Sequence, residues 1–208
     1  MMDLSGLSGK FRGNVYRIVE SQEKVASMNL VDTLDEQALL ENLIEKTKPT
    51  ISEKKQRHYL IQTPFRYPPL QHGSRFGSRF EPSIFYAGRT LQSALCESAF
   101  YSFYFMSRST VQYQNAIINH KTSFSVEIQN DHHIDLSKIS NPDIKQKLIH
   151  KSDYQFTQSV GKQFRKESVS SFSYFSARCD KKVNIGVFDI DSILGEPKNY
   201  HHWEVKQT

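Results

Sequence analysis

The chain is poor in cysteine and has no long apolar run, and each shortage excludes a class of protein. Its two cysteines, Cys96 and Cys179, lie far apart and form no Cys-x-x-Cys pair, which favours a reducing compartment over a disulfide-rich secreted domain. We expect both to be buried as small apolar side chains. Nowhere do about eighteen apolar residues follow one another without a charge, and the first residues contain no apolar segment of signal-peptide length. The sequence therefore predicts a soluble cytoplasmic protein.

The sequence also lacks the common signatures of nucleotide and metal sites. No Gly-x-Gly-x-x-Gly follows the first predicted strand and no Gly-x-x-x-x-Gly-Lys-Ser/Thr occurs, so neither a Rossmann fingerprint nor a P-loop is present. The eight histidines include the pairs His132/His133 and His201/His202, but none has the spacing of a structural zinc site. We predict no metal site and expect these histidines at the solvated surface.

The net charge of the chain does not identify its binding partner. The formal net charge is +5, and the basic residues are spread along the chain rather than gathered in one block. Phosphate groups on a small ligand, an acidic protein and nucleic acid would all suit this charge. Composition alone does not choose among them.

Helix-start signals mark two segments in the first half of the chain. Thr33 and Glu36 form a Thr-x-x-Glu capping box ahead of a helix that reaches Lys46. Thr90 is placed as the N-cap of a second helix that ends near Met106.

Two more helix starts are predicted in the second half. Asn141 followed by Pro142 is typical of a helix N-terminus. Ser152 and Gln155 suggest another capping box. The apolar residues behind it repeat at helical spacing at Phe156, Val160 and Phe164.

The remaining apolar runs predict strands, and the order of elements predicts the fold class. Strands are expected at 15–19, 58–62, 83–87, 111–118, 122–129, 172–178 and 183–190, the last two forming a hairpin. The proline-rich segment 63–70 is predicted to be a loop, because its prolines are expected to exclude both a helix and a central strand. Paired strands with helices between them indicate an α+β fold, and no linker divides residues 1–208 into more than one domain.

Two arginines in a duplicated Gly-Ser-Arg-Phe motif indicate a phosphate site. Arg75 and Arg79 each present a planar fork of donors that matches phosphate oxygens, and Gly73 and Gly77 allow a backbone to approach such a ligand closely. Either arginine could clamp a pyrophosphate, and a solvated surface role is the alternative for both.

Glu97 is the carboxylate that most needs an explanation. It interrupts the apolar run Ala-Leu-Cys-Glu-Ser-Ala-Phe-Tyr, where an unpaired charge would be costly to bury. It therefore needs a partner or a chemical role, unless it lies on a polar stripe of the helix with Ser93 and Tyr101 or pairs with an arginine. Tyr86 could stack on a flat ring or hydrogen-bond a ribose, and ordinary core packing is an equal alternative.

Several separated motifs resemble the RES-domain family of bacterial toxins, which is named after an arginine, a glutamate and a serine. The resemblance covers about residues 15 to 190. It is carried by YRIVESQ (16–22), FRYPPLQHGSRFG (65–77), IFYAGRTLQSALCESAFY (84–101) and YFSARCDKKVNIGVF (174–188). It implies an ADP-ribosyltransferase-like fold, with mixed or antiparallel sheets and flanking helices. It also implies consumption of NAD+ by phosphorolysis, by hydrolysis or by modification of a protein, and an Xre-like antitoxin that covers the active site.

The resemblance also implies roles for individual residues. Arg75 matches the family arginine, Tyr86 the tyrosine, Glu97 the glutamate and Ser176 the serine. By this match Glu97 would stabilise the developing oxocarbenium ion, Arg75 would anchor a phosphate, Tyr86 would shape the pocket and Ser176 would bind ribose or the nicotinamide amide. The alternatives that remain are Arg79 for the arginine, and Ser170, Ser171 and Ser173 for the serine.

The implied reaction needs NAD+ as substrate and no further cofactor. If inorganic phosphate is the co-substrate, a second cation is useful, and Arg66, Arg79 and Arg178 are the candidates. Three alternatives remain at this stage: transfer of ADP-ribose to a protein, a basic RNA-binding or RNA-cleaving toxin, and a non-enzymatic interaction protein. Nucleic acid is expected only through the antitoxin, no membrane partner is expected, and a homo-oligomer remains open.

Overall fold

The computed structural model describes residues 2–21, 30–49, 57–109 and 116–207. Its strands are β1 (Ser8–Glu20), β2 (Phe85–Gly88), β3 (Ile117–Asp135), β4 (Ser171–Phe175), β5 (Val183–Val187) and β6 (Ile193–Gln207). Its α-helices are α1 (Leu34–Thr47), α2 (Tyr59–Arg66), α3 (Leu91–Arg108), α4 (Pro142–Leu148) and α5 (Gln155–Lys166). The predicted α+β class, with a mixed sheet and flanking helices, is confirmed. Among these helices none is both long and apolar enough to cross a membrane.

Five of the strands close into a ring. The pairing order is β1-β2-β5-β4-β3-β6, and β1 also pairs with β3. The β3–β4 pairing is parallel and the other pairings are antiparallel. The closure is uneven, because β1 follows β3 along its whole length but meets β2 at one residue pair, Tyr16 and Gly88.

Two apolar cores lie on opposite faces of the sheet. Phe85 of β2 belongs to the first core, whereas its neighbour Tyr86 packs against the second, as expected for successive residues of a strand. Leu60 and Ile61 of α2 complete the first core, and Phe164 of α5 lies in the second. Helices therefore cover both faces of the central strands.

The predicted starts of α1, α3 and α4 are confirmed. Thr33 and Glu36 make the reciprocal capping box of α1, with the Glu36 amide donating to the Thr33 hydroxyl at 3.2 Å. The Thr90 hydroxyl accepts from the Ser93 amide at the start of α3, and Asn141 caps α4. Each cap satisfies amide groups that have no partner inside the helix.

The predicted strand at 58–62 is wrong, because His58 is the N-cap of α2 and residues 59–62 lie in this helix, which also contains Pro64. Leu60 and Ile61 are both buried, and Phe65 packs against the same core. In a strand, Leu60 and Ile61 would point to opposite faces, whereas a helix places them on one side together with Phe65. A proline near the end of a short helix removes one backbone hydrogen bond without preventing the helix. The predicted loop therefore starts later than expected.

The second predicted capping box is also wrong. Ser152 does not cap α5, which has no side-chain hydrogen bond at its N-cap. Asp153 Oδ1 instead accepts from the Gln155 amide at 2.9 Å, so a nearer carboxylate takes over this role. The apolar face predicted for this helix is confirmed, since Val160 and Phe164 are buried.

The strands of the second half agree only in part with the prediction. The predicted hairpin is confirmed as β4 and β5. The strand predicted at 111–118 begins outside the described residues, and its end forms one continuous strand, β3, with the segment predicted at 122–129. Strand β6 was not predicted, because it is a mostly exposed strand rich in charged and polar residues that pairs with β3.

His133 lies in the interior, so the prediction of a solvated histidine is wrong for this residue. It is 4% exposed, and its Nδ1 and Nε2 atoms are hydrogen-bonded to the hydroxyls of Ser171 and Ser173 at 2.7 and 2.9 Å. Burial lowers the pKa of His133 to about 4. The histidines that are exposed as expected are His72, His120, His132, His150, His201 and His202, and His58 is partly buried.

Gly161 of α5 lies against residues 73–79, which contain Arg75 and Arg79 and are called the arginine-bearing loop below. We predict that the close packing of this loop on α5 requires glycine at position 161. A Cβ atom at this position would lie 1.8 Å from the Phe76 carbonyl oxygen, so Gly161→Ala should lower the free energy of unfolding by about 2 kcal/mol or more. An open helical position would give the opposite sign, because alanine favours helix. Gly9→Ala, where a Cβ would meet nothing within 4 Å, is the control. Equal urea midpoints for the two variants would contradict this packing.

The buried His133 should make stability fall in mild acid. Its folded pKa of about 4 lies below the ordinary value of 6.5, so the unfolded chain binds the proton more readily. The contribution of His133 to the free energy of unfolding is therefore fully present above pH 6.5. It falls by on the order of 2–3 kcal/mol as pH drops towards 4. Urea unfolding across this range should show a weaker pH dependence in His133→Asn than in the exposed control His132→Asn. The same dependence in both variants would assign the effect to other groups.

Candidate active site

A cavity of about 400 Å³ opens beside the point where β1 meets β2. It is lined by residues 16–20 of β1, by residues 86–88 of β2, by Ser74 and Arg75 of the preceding loop, by the side of α3 that carries Glu97, Tyr101 and Phe105, and by Lys121, Tyr174 and Asn184. Among the residues that the structure describes, no group of three or more His, Cys, Asp or Glu side chains could hold a metal ion.

Glu97 has the partners that its position on α3 requires. Its Oε1 atom accepts from the Ser176 hydroxyl at 2.7 Å and from Asn184 Nδ2 at 2.8 Å. Both donors are neutral, and together they compensate the partial burial of the carboxylate. No hydrogen bond to Oε2 is seen from the described residues, which leaves this oxygen for a ligand in the cavity.

Ser176 lies behind Glu97 rather than on the cavity wall. It is 7% exposed and is not among the residues that line the cavity. Its hydroxyl oxygen accepts from the backbone amides of Arg178 and Cys179, both at 3.1 Å, while its proton goes to Glu97. The turn after β4 therefore fixes the hydroxyl that holds the carboxylate. Among the serine candidates, Ser171 and Ser173 contact His133 instead.

Arg75 is the arginine of the duplicated motif that reaches the cavity. Its Nη1 group donates to the carbonyls of Leu148 and His150 at 3.3 and 2.8 Å, and its guanidinium lies 4.7 Å from the centre of the Tyr154 ring. It is 9% exposed. The end of α4 thus orients a largely buried cation that lines the cavity.

Tyr86 ties the arginine-bearing loop to β2. Its hydroxyl is hydrogen-bonded to the Ser74 hydroxyl at 2.9 Å and accepts from the Phe76 amide at 3.0 Å. Burial raises the pKa of Tyr86 to about 12. The two glycines of the motif serve the loop itself, since Gly73 has a φ of 72° and the Ser74 amide donates to the Gly77 carbonyl at 2.7 Å.

The other three candidate arginines lie outside the cavity lining. Arg66 donates to the Pro49 carbonyl at 2.7 Å and forms an ion pair with Glu45. Arg79 is exposed, with its guanidinium over the Phe80 ring. Arg178 lies over the Phe100 ring and donates to the Lys151 carbonyl. The structure therefore brings Arg75, Tyr86 and Glu97 to one cavity, with Ser176 behind them, and leaves these three arginines elsewhere.

Arg17 is a cavity residue that sequence reasoning missed. It lies in β1 with its guanidinium 4.7 Å from the centre of the Phe85 ring, and its buried Nη1 atom has no hydrogen-bond partner among the residues that the structure describes. Burial lowers the pKa of Arg17 to about 10, which leaves it a cation at neutral pH. The sequence signal that could have identified Arg17 is a charged residue inside the apolar run of the strand predicted at 15–19.

Asn184 and Lys121 were missed as well. Asn184 is the polar residue inside the Val-Asn-Ile-Gly-Val run of β5, and Lys121 is a largely buried lysine of β3 whose Nζ lies 2.9 Å from Glu20 Oε1. A strand pattern gives the face on which such residues lie but not which helix they meet. That they line the same cavity as Glu97 therefore depends on the sheet order.

The two cysteines are neighbours in space. Cys96 precedes Glu97 on α3, Cys179 lies in the turn after β4, and their sulfur atoms are 2.9 Å apart. Both are free thiols, and Cys179 is buried as expected while Cys96 is partly buried. The hydrogen bond with Cys96 raises the pKa of Cys179 to about 11. The pair packs α3 against the turn that carries Ser176.

Comparisons with known proteins identify relatives of this arrangement. The model of the RES domain matches residues 50–207 of the chain. Among solved structures, a chain of the M. tuberculosis MbcT–MbcA toxin–antitoxin complex matches with a TM-score of 0.51 and 9% sequence identity, over 95% of this chain and 87% of that one. At this identity the likeness shows a shared fold. No curated protein matches the chain.

Tyr86→Phe should loosen the arginine-bearing loop without emptying its core position. The change removes the acceptor of the Phe76 amide and the partner of Ser74, so we expect the free energy of unfolding to fall by about 1–2 kcal/mol. Tyr59→Phe is the matched control, because this tyrosine is 53% exposed, and it should change stability by less than about 0.5 kcal/mol. Denaturant titration of both variants makes the comparison, and equal values would show that the hydroxyl does not hold the loop.

Proposed function

Because the chain belongs to the RES-domain family, we propose that it is the toxin of a toxin–antitoxin system and that it cleaves the nicotinamide–ribose bond of NAD+, by phosphorolysis or hydrolysis. The observation that carries this proposal is the Glu97 carboxylate, held through one oxygen by Ser176 and Asn184 on the wall of a cavity that also contains two arginines.

Glu97 acts on the ribose next to the bond that breaks. Nicotinamide leaves NAD+ as a neutral molecule, so no general acid is needed and positive charge develops on the ribose. A carboxylate fixed in place stabilises this charge more in the transition state than in the ground state. Oε2 of Glu97, which faces no protein donor among the described residues, accepts from the ribose hydroxyls in this scheme.

Arg75 and Arg17 hold the phosphates of the substrate. Both line the cavity and both are largely enclosed, so their attraction for a pyrophosphate is weakly screened by water. Arg17 has the stronger need for an anion, because its buried Nη1 atom has no partner in the described part of the chain. Tyr86 contributes to the wall, and Ser176 acts through Glu97 rather than by touching the substrate.

An antitoxin protein is the proposed partner, of the Xre-like type that the family resemblance implies. The last turns of α3 expose Phe103 and Phe105, which are 60% and 71% exposed, and Phe105 also lines the cavity. Exposed aromatic side chains beside a cavity are typical of a protein interface. The M. tuberculosis chain of the same fold was crystallised in a toxin–antitoxin complex. A partner bound over these aromatics would close the cavity.

Glu97→Gln tests the proposed reaction. Glutamine keeps the size of the side chain and removes its charge, so nicotinamide release from NAD+ should fall by on the order of 100-fold or more while the protein stays folded. Glu204→Gln, at an exposed position of β6, is the control and should retain full activity. Nicotinamide release is measured with and without inorganic phosphate. The second product is ADP-ribose if the reaction is hydrolysis and phosphorylated ADP-ribose if it is phosphorolysis.

Two results would count against the proposal. If the folded wild-type protein releases no nicotinamide with phosphate, with water or with a protein acceptor, the activity is not NAD+ cleavage. If Glu97→Gln matches the control in this assay and in growth inhibition of cells, Glu97 is not catalytic. Adenine-labelled NAD+ that becomes attached to protein would assign transfer of ADP-ribose instead.

A further inference from the structure

Asn184 is placed where a residue would control the direction of the Glu97 carboxylate. It lies in β5, between Gly88 of β2 and Tyr174 of β4, and is therefore held by backbone pairing on both sides. It is 2% exposed and touches the cavity. A side chain on a central strand has a fixed origin, unlike one on a loop.

The identity of the donor atom follows from the chemistry of the pair. An ionised carboxylate can only accept hydrogen bonds, so the nitrogen of the Asn184 amide faces Glu97 and its oxygen faces away. That oxygen is buried with no partner among the described residues. An asparagine within an apolar strand run and with an unsatisfied acceptor is unfavourable for stability alone. Such local conflicts are expected at functional sites.

We propose that Asn184 is the positioning residue for Glu97, an inference that rests on the proposed NAD+-cleaving function. With Ser176 alone, the carboxylate could pivot about one hydrogen bond. The second donor, which comes from strand β5 and not from the turn that carries Ser176, fixes the plane of the carboxylate and presents Oε2 to the ribose. A lysine or arginine in this place would also orient the group but would neutralise the charge that the reaction needs. A neutral amide orients without neutralising.

Asn184→Ala is the first arm of the test. Because the amide acts through Glu97, its loss should lower kcat for NAD+ cleavage by on the order of 10- to 100-fold while KM changes much less. A rise in KM at unchanged kcat would overturn the proposal, since it would place Asn184 in substrate binding.

Asn184→Asp is the second arm and gives a signature that a merely structural role would not give. The introduced carboxyl lies at the position where Nδ2 is 2.8 Å from Glu97 Oε1, so at low pH the two groups share a proton and a hydrogen bond is restored. As pH rises the proton is lost and two negative charges repel each other. The activity of the variant relative to wild type should therefore drop roughly tenfold or more between pH 5.5 and pH 8.

Dividing the activity of Asn184→Asp by the wild-type activity at each pH removes the pH dependence that the other groups around the cavity contribute to both proteins. The charged and titratable side chains that line it with Glu97 include Arg17, Glu20, Arg75, Tyr101, Lys121 and Tyr174, and they are present in both proteins. Asn119→Asp is the matched control. Asn119 also lies in a strand and donates from Nδ2 to a side-chain oxygen, that of Gln207, at 2.9 Å. The activity of Asn119→Asp relative to wild type should not change with pH.

Unfolding measurements separate a failure of this inference from a failure of the proposed function. The introduced carboxyl has a raised pKa in the folded state, so the urea midpoint of Asn184→Asp relative to wild type should fall as pH rises from 5.5 to 8. This holds even if the wild-type protein cleaves no NAD+, a result that would reject the function and with it the catalytic meaning of the contact. A pH-independent difference in midpoint would show that Asn184 does not hold Glu97, whatever the activity.

Discussion

The hydrogen bonds to Glu97 Oε1 are the contacts on which the arrangement of the site depends. Ser176 and Asn184 donate to the same oxygen from the turn after β4 and from β5, while Glu97 itself lies on α3. A partly buried carboxylate on a helix is tolerable only if such donors are supplied, because its charge is costly to remove from water. The helix, the turn and the strand are therefore fixed relative to one another by one functional group. The adjacent thiols of Cys96 and Cys179 pack the same two segments together.

The incomplete contact between β1 and β2 explains why a cavity exists beside this carboxylate. β1 is paired with β3 along its length but meets β2 at one residue pair, and the cavity is lined by residues from both strands around that point. The ring of strands thus provides a rigid wall with an opening rather than a closed core. Arg17 lies on the β1 side of this opening and Arg75 is brought in by the loop that Tyr86 anchors. Positive charge and the Glu97 carboxylate consequently share one enclosed space.

The sequence predicts the parts of this structure that local rules determine. The capping residues Thr33, Thr90 and Asn141 mark helix starts correctly, because a cap is a contact within one turn. An apolar alternation does not exclude a short helix, as segment 58–62 shows, and a polar edge strand such as β6 has no apolar pattern by which it could be predicted.

The same distinction applies to the site. Glu97 could be singled out because a charge interrupts an apolar run, and Arg75 and Tyr86 were candidates from their residue chemistry. The choice of Arg75 over Arg79, and the assignment of Ser176, depend on the family resemblance. Arg17 and Asn184 depend on which strands lie side by side, and His133 on which hydroxyls surround it. Sheet order is a property of long-range pairing that no local pattern carries.

The separation of the site residues along the chain has a consequence for how the protein is made. Ser176 and Asn184 follow Glu97 by 79 and 87 residues, and the parallel β3–β4 pairing and the closing β2–β5 pairing also join distant segments. Contacts of this kind form slowly, because the intervening chain must be ordered first. During synthesis, Glu97 leaves the ribosome long before either of its donors, and any nascent chain that ends before residue 184 lacks part of the site. The cavity wall is therefore completed only after β5, which carries Asn184, has been synthesised.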